Sequence, residues 1–526
     1  MKKIFILPGC LALGACGLLM SAAAQTPVVS HDIYHDISAP AREYGASHPM
    51  AQASDFRQTL EHPRPLHQSL PVVGPVGPDL AEQSSILPQV QATLGFNFDG
   101  IPNIANGVSL EGVPSDSNIS VGDTQVVEII NTAYEVYDKS TSKSIFPATE
   151  VSTLFIGMPG LCGQGVTFFF SDPVVLYDKM AGRWLISIIA YDNSGSEGNE
   201  CVAISTSDDA TGTYYRYAFK FGANRFNDYP KFGVWPDAYY ASYNLFAPFN
   251  VFGAACAYDR ASMLAGEPAT TVCFHKPTEF SFLPSDLDGS TLPPSGEPNF
   301  FVDLASTSSL HLYRFHVDFA TPSNSTFKGP VNIAVTPFTQ ACGGGTCVPQ
   351  KGTTEQLDSL GDRLMFRLAY RNFGSHESLV VNHSVQTSVA AAGVRWYEIR
   401  DPNGTPIVYQ QSTFTHGDRS VWMASIAMDG AGDIGLGFSE SSSQIHPSIA
   451  YTGRLASDAL NTMESPAAII NADGSQIGTS RWGDYSGLAI DPVDDCTFWY
   501  VNQYYASNSR IAFHTRVASF KFPNCK

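Results

Sequence analysis

The stretch Ser171-Asp-Pro-Val-Val-Leu-Tyr-Asp-Lys-Met-Ala-Gly-Arg-Trp-Leu-Ile-Ser-Ile-Ile-Ala190 decides the fold class. Val174–Tyr177 and Arg183–Ala190 are runs of β-branched, aliphatic and aromatic residues, and Asp178–Gly182 between them carries the turn chemistry of a tight connection. The same strand–turn–strand unit returns as Ser486–Ile490, Asp491–Asp495 and Cys496–Gln503, and Met428-Asp-Gly-Ala-Gly-Asp433 is the turn of another. A small or polar residue followed by Asp opens these units at Gly122-Asp123, Ser171-Asp172, Asn227-Asp228, Gly361-Asp362, Gly417-Asp418 and Gly483-Asp484. The intervals are roughly 50 to 65 residues, with one about twice as long, near the period of repeat architectures. A degenerate unit is therefore expected inside the long gap, near Asn299-Phe300-Phe301-Val302. Units of four short strands at this period predict an all-β fold, a β-propeller of about seven four-stranded blades between residues 96 and 522, with six as the alternative.

Composition narrows the function classes. The 526 residues carry 30 Lys plus Arg against 49 Asp plus Glu, a net charge of −19, and only 15% are charged. A binder of nucleic acid needs a basic surface to neutralise phosphates, so that class is excluded. A hydrophobic content of 44% excludes disorder throughout, and 44 Gly, 34 Pro and 12% aromatics argue against a coiled coil or helical array.

Residues 1–24 read as an export signal: Lys2 and Lys3, then an apolar run, then Ala22-Ala-Ala24 as a cleavage site. Leu13-Gly-Ala-Cys16 offers lipoprotein anchoring through Cys16 as the less favoured alternative. No later stretch is apolar enough to span a membrane, so a secreted or periplasmic protein, a monomer, is expected. Residues 25–93, rich in Pro, His and Ser, read as a flexible leader with five histidines (His31, His35, His48, His62, His67), and 94–526 as the propeller. Eight cysteines remain after the signal, and an even count in an exported chain points to disulfides. Their layout suggests Cys162–Cys201, Cys256–Cys273, Cys342–Cys347 and Cys496–Cys525.

Several blocks carry a family resemblance: Pro114-Ser-Asp116-Ser-Asn118, Val136-Tyr-Asp-Lys139, Asp172-Pro-Val-Val-Leu-Tyr-Asp178, Asp228-Tyr-Pro-Lys-Phe-Gly-Val-Trp-Pro-Asp237, Tyr370-Arg-Asn-Phe-Gly-Ser-His-Glu377, and Arg481-Trp-Gly-Asp-Tyr-Ser486 running on to Asp491-Pro-Val-Asp-Asp-Cys496. Over about 96–525 the chain resembles large secreted bacterial β-propeller proteins of mostly unassigned function, which implies fold and export. A weaker likeness is to sialidase-type propellers, whose axial arginines, Asp, Glu and Tyr find counterparts in Arg363, Arg419, Arg481, Asp484, Glu377 and Tyr485. The repeated Ser-x-Asp-x-Gly-x-Thr-Trp box of those propellers is absent: Asp288-Gly-Ser-Thr lacks the Trp.

In a propeller the first strand of each blade lines the axis, so the repeated Asp residues are expected near it with Lys231, Arg363, Arg419 and Arg481. Such residues suit a polar funnel in which cations hold an anionic or hydroxylated ligand and a carboxyl of raised pKa moves a proton; equally, each Asp can cap the turn of its own blade. Glu377, paired with Asp484 or Asp228, is the candidate acid for glycoside hydrolysis, and Tyr485 or His376 the candidate base for uronate elimination. Trp482 is the candidate stacking platform, with Asp228, Lys231, Arg363, Arg419 and Arg481 as substrate contacts. The functions in view are a glycan-cleaving enzyme, hydrolase or lyase, and a non-catalytic binding or adhesion propeller. Asp286 and Asp288, and Asp491, Asp494 and Asp495, are oxygen-rich clusters for which Ca²⁺ is the one cofactor considered. Gly430, Gly432 and Gly435 match GxGxxG without a following helix and read as a hairpin turn. His383, in an apolar run, reads as a core histidine.

Overall fold

The computed structural model describes residues 26–43, 70–73, 79–85, 87–105, 108–109, 112–163, 169–192 and 197–526. The export signal with Cys16, and His48, His62 and His67 of the leader, lie outside the described residues.

Strand pairing resolves into seven antiparallel units of four strands. Their first strands are Asn118–Val121, Phe169–Asp178, Phe226–Val234, Leu283–Asp288, Met365–Asn372, Ser420–Met428 and Gly487–Ile490, numbered here as blades 1 to 7. Each first strand packs beside the first strand of the next blade, and that of blade 7 returns to that of blade 1. The fold is thus a closed β-propeller. Blades 4 and 5 also share a parallel ladder on the axis, Ser285 opposite Leu368 through Asp288 opposite Arg371. The degenerate unit expected in the long gap is blade 4, and Asn299–Ser306 is its second strand. Blade 7 is completed from the other end of the chain, where Thr93–Pro102 pairs with His514–Lys521. Closing the ring this way leaves no open seam between first and last blades.

The leader is structured where it is described. Val28–His31 adds a fifth strand to blade 3 by pairing with Thr270–Lys276, and Tyr34–Ile37 adds one to blade 2 by pairing with Tyr214–Lys220. Arg216 fixes the second of these with a forked pair to Asp36 at 2.8 and 2.7 Å. Two four-residue strands among Pro and His are too short to show a period. The unpaired blade edges supply the hydrogen bonds that make them strands.

The apolar core lies between neighbouring blades. Leu176, Leu185 and Val202 of blade 2 meet Phe232, Tyr239 and Tyr243 of blade 3, and Phe438 and Ile449 of blade 6 meet Phe498 and Tyr500 of blade 7. First and second strands bury both faces, which is why they read as continuous apolar runs. The GxGxxG glycines belong to this packing. Gly432 has φ +85° in the hairpin turn, and a Cβ on Gly435 would sit 2.7 Å from the Phe498 ring. All four disulfides form in the expected pairing, Cys162–Cys201, Cys256–Cys273, Cys342–Cys347 and Cys496–Cys525. No helix among the described residues is long and apolar enough to cross a membrane.

Candidate functional site

Each first strand starts at one end of the axis, and at that end five blades converge side chains that carry charge. Asp116 precedes blade 1, Asp172 lies in blade 2, Asp228, Tyr229 and Lys231 in blade 3, Asp362 and Arg363 precede blade 5, and Arg481, Asp484 and Tyr485 precede blade 7. Most are nearly inaccessible: Lys231 is 0%, Asp116 and Arg481 1%, and Asp484 4% exposed. Asp228 is half-buried.

Local backbone geometry aims these groups. The pairing of first and second strands slips between Ser171 and Val174 and again between Asp228 and Lys231. These bulges carry a residue of left-handed φ, Asp172 (53°) and Tyr229 (59°), each followed by a proline. A bulge turns the strand and redirects its side chains. It also corrects the register of the repeat: Asp228 is equivalent to Ser171, not to Asp172.

The repeated Asp is only partly axial. Asp172, Asp228, Asp362 and Asp484 reach the cluster. Asp123 instead sits in the exposed hairpin turn after the first strand of blade 1, and Asp418 in an exposed turn before blade 6. Small-Asp dipeptides serve equally in either kind of turn, so the same letters mark different ends of the blade.

Within the cluster, Arg481 donates to both oxygens of Asp484 at 2.7 and 3.3 Å, and Arg363 to both oxygens of Asp362 at 2.9 and 3.1 Å. Asp116 accepts from the Asp484 backbone N–H at 2.7 Å and from Asn131 at 3.1 Å. Asp172 accepts from the Ser171 hydroxyl at 2.7 Å. Among the described residues Lys231 makes no carboxylate ion pair. Its ammonium donates to the Pro230 carbonyl at 2.8 Å and lies 3.5 Å from the Tyr229 ring centre and 4.0 Å from that of Tyr485. Cation–π attraction of this kind offsets part of the cost of burying it.

Burial and mutual repulsion then set the protonation states. Burial pushes Asp228 up to about 7, aided by the charges of Asp172 and Asp484 and opposed by Arg363 and Lys231. Burial also raises Asp172, with Lys231 the foremost opposing charge, and raises Asp116 strongly, with Asp484 and Asp172 adding to it. Burial lowers Lys231 to about 8. The cluster holds carboxyl groups that stay partly protonated near neutrality, the property a general acid needs.

The other candidates lie elsewhere. Glu377 opens the second strand of blade 5 opposite Asn372, at the far end of the blade, and accepts from the Tyr370 hydroxyl. His376 stacks on Phe373 at 4.9 Å in the turn before it. Neither is brought together with Asp484 or Asp228, because a strand of eight residues separates the two ends of blade 5. Trp482 is wholly buried against Trp422 and Tyr505, with its N–H donating to Ser439 at 3.1 Å, so it is core and not a platform. Arg419 pairs with Glu440 at 2.6 Å beside His416, so the three arginines of the sialidase likeness are not gathered. His383 is buried with its Nε2 2.9 Å from the Tyr397 hydroxyl.

The far end of the axis is a second charged layer. Arg367 pairs with both Asp286, at 3.1 Å, and Asp288, and Arg371 holds Asp495 at 2.7 and 2.8 Å. Arg367, Asp286 and Asp288, together with Lys179 and Tyr177, border an axial cavity of about 40 Å³. Asp491 pairs with Lys139 and Asp494 with Lys521. The carboxylates considered for Ca²⁺ are thus spent on cations, and no group of three His, Cys, Asp or Glu among the described residues is arranged to hold a metal.

Asp116, Asp172 and Tyr229 were not singled out as site residues from the sequence. Asp172 did carry the signal of the repeated Asp, and all three have a proline within two residues, in Pro114-Ser-Asp116, Asp172-Pro173 and Tyr229-Pro230.

No known protein family matches the chain, and no curated protein matches it in sequence. Similar solved structures include the exo-β-1,3-galactanase of Phanerochaete chrysosporium bound to galactose, at 10% identity over 78% of this chain and 96% of that one, TM-score 0.30. An endo-arabinase of Bacteroides thetaiotaomicron matches at 13% identity over 53% and 92%, TM-score 0.26. The N-terminal domain of Nup159 matches at 8% identity over 84% and 100%, TM-score 0.34. Similarities this loose add nothing to the strand pairing, and the site is read from its own side chains.

Proposed function

We propose that this is an exported, monomeric propeller enzyme that cleaves a glycan at the axial cluster, with Asp228 as proton donor. One observation carries the reading: Asp228 is half-buried, makes no side-chain hydrogen bond among the described residues, and is pushed up to about 7 in a crowd of carboxylates. A carboxylic acid kept protonated near neutral pH and reachable from outside is equipped to protonate a leaving glycosidic oxygen. Asp172, where Lys231 favours the ionised form, is the complementary carboxylate that assists water or the developing cation.

The test is a panel of neutral and uronate-containing polysaccharides, assayed for new reducing ends and for unsaturated uronate absorbance, with Asp228→Asn alongside. Cleavage that drops 10²-fold or more in Asp228→Asn supports the assignment, and equal cleavage by the variant overturns it. A second reading, a binding propeller without catalysis, is favoured by the arginine clamps on Asp362 and Asp484, which resemble architecture more than reagent. Binding without cleavage across the panel would select it.

A further inference from the structure

Beyond the axis, blades 1 and 7 leave a groove of about 720 Å³ between them, a volume in the range of small-molecule sites. It straddles the ring closure. Thr93, Gly95 and Phe96 come from the N-terminal strand, Asp123, Thr124, Asp138 and Lys139 from blade 1, and Trp499, Ser519 and Lys521 from the C-terminal strands. The half-buried Phe96 is the aromatic wall of the groove, and it stacks at 5.6 Å on Trp499, which is buried behind it. Among the described residues the Trp499 indole N–H is buried without a hydrogen-bond partner.

Around that wall stand hydroxyls, carboxylates and two ammonium groups. Lys139 is tied to Asp491 at 2.9 Å and Lys521 to Asp494 at 3.0 Å, so both cations are already neutralised by protein. Asp123 and Asp138 then leave the rim acidic, within a chain of net charge −19. An anionic ligand is disfavoured, and a purely apolar one would strand the polar rim. An aromatic wall with hydroxyl and carboxylate groups at its margin matches a sugar ring, whose C–H face packs on aromatics while its hydroxyls take the rim.

We infer that the groove between blades 1 and 7 is a second glycan site, which takes neutral, hydroxyl-rich oligosaccharide and holds it away from the axial cluster. The inference stands whether or not the axis is catalytic. Because its walls come from both ends of the chain, an occupied groove also cross-links the ring closure and stabilises the fold by mass action.

The test uses the whole exported protein with neutral tetrasaccharides (β-1,3- and β-1,4-linked gluco- and galacto-oligosaccharides), tetragalacturonate, and an apolar anilinonaphthalene dye. Binding is followed by calorimetry and by the rise in Tm. Thr124 is exposed, so Thr124→Trp fills the groove without touching the core. The expected result is binding of a neutral tetrasaccharide that weakens at least tenfold in both Thr124→Trp and Phe96→Ala and is unchanged in Lys179→Met. The unliganded Tm of Thr124→Trp should match the parent, which separates occlusion from misfolding. Tighter binding of tetragalacturonate, binding of the dye alone, no binding of any sugar, or sugar binding indifferent to Thr124→Trp would each overturn it. Loss in Asp228→Asn alone would assign the sugar to the axis instead.

Discussion

The two ends of the propeller axis hold similar inventories and use them differently. At the far end the carboxylates are held by arginines: Arg367 spans Asp286 and Asp288, and Arg371 grips Asp495, while burial still pushes Asp286 up to about 6. At the near end acids outnumber bases, and among the described residues the Asp228 side chain makes no hydrogen bond while Lys231 has the Pro230 carbonyl and two tyrosine rings in place of a carboxylate. Balanced pairs are how a fold tolerates buried charge. An imbalance raises carboxyl pKa values at a cost in stability, and such strain is characteristic of functional sites. The far end reads as architecture, and the near end is where the proposed cleavage is placed.

That contrast can be broken by two substitutions. Arg367→Met at the far end strips two buried carboxylates of their partner, and the expected loss is about 3–5 kcal/mol of stability in denaturant unfolding. Asp228→Asn at the near end removes a charge that Asp172 and Asp484 repel, so unfolding should move by less than about 1 kcal/mol while cleavage falls about 10²- to 10⁴-fold. If Arg367→Met is mild, or Asp228→Asn collapses the fold, the division of labour between the ends is wrong.

How far was this division legible in the sequence? The blades were, because each needs a turn-bounded apolar meander and each repeats it. So were the disulfides, whose partners lie close along the chain. Thr93–Pro102 as the closing strand of blade 7 and Val28–His31 as an added edge were not, because their partners lie hundreds of residues away. The near-end cluster was legible in part. Asp228, Lys231, Arg363, Arg481, Asp484 and Tyr485 are near neighbours in the dipeptide repeat and do meet. Glu377 and Trp482 misled for opposite reasons. Glu377 stands out in sequence but caps the wrong end of its blade, and Trp482 adjoins the cluster but turns into the core. One-dimensional proximity cannot tell the two ends of a strand apart, nor its two faces.

A third buried acid sharpens what a raised pKa means. Glu128 sits where blade 1 meets the closing strands and accepts from the Tyr137 hydroxyl at 2.9 Å, the Ile101 N–H at 3.2 Å and Thr515. Burial pushes it up to about 7 although it lies off the axis and is fully hydrogen-bonded. In the unfolded chain it ionises near 4.3, so its contribution is full below about pH 4 and is lost as pH rises through about 7. The linkage is worth about 4 kcal/mol. Unfolding measured at pH 5 and pH 8 should show Glu128→Gln nearly flat relative to the parent over that range, with cleavage unaffected. A parallel loss in both proteins would remove Glu128 as the source.

The smallest effect tests the imbalance itself. Lys231 opposes the rise of both Asp172 and Asp228, and it is the foremost opposing charge on Asp172 but second to Arg363 on Asp228. Lys231→Met keeps the volume between the tyrosine rings and exchanges a buried cation for an apolar chain, so folding should change by no more than about 2 kcal/mol. Without the cation both carboxyls hold their protons more tightly. Asp228 then stays a competent acid to higher pH, and the alkaline fall in cleavage should move up by roughly one pH unit. Asp172, already raised by burial, is raised further, so the plateau of the profile should drop as well. Lys179→Met serves as the control, since burial lowers Lys179 to about 8 too but it borders the far end. It should leave both the limb and the plateau where they were. A profile that shifts equally with either lysine would mean that the two ends of the axis are electrostatically one site, and the comparison between them would fail.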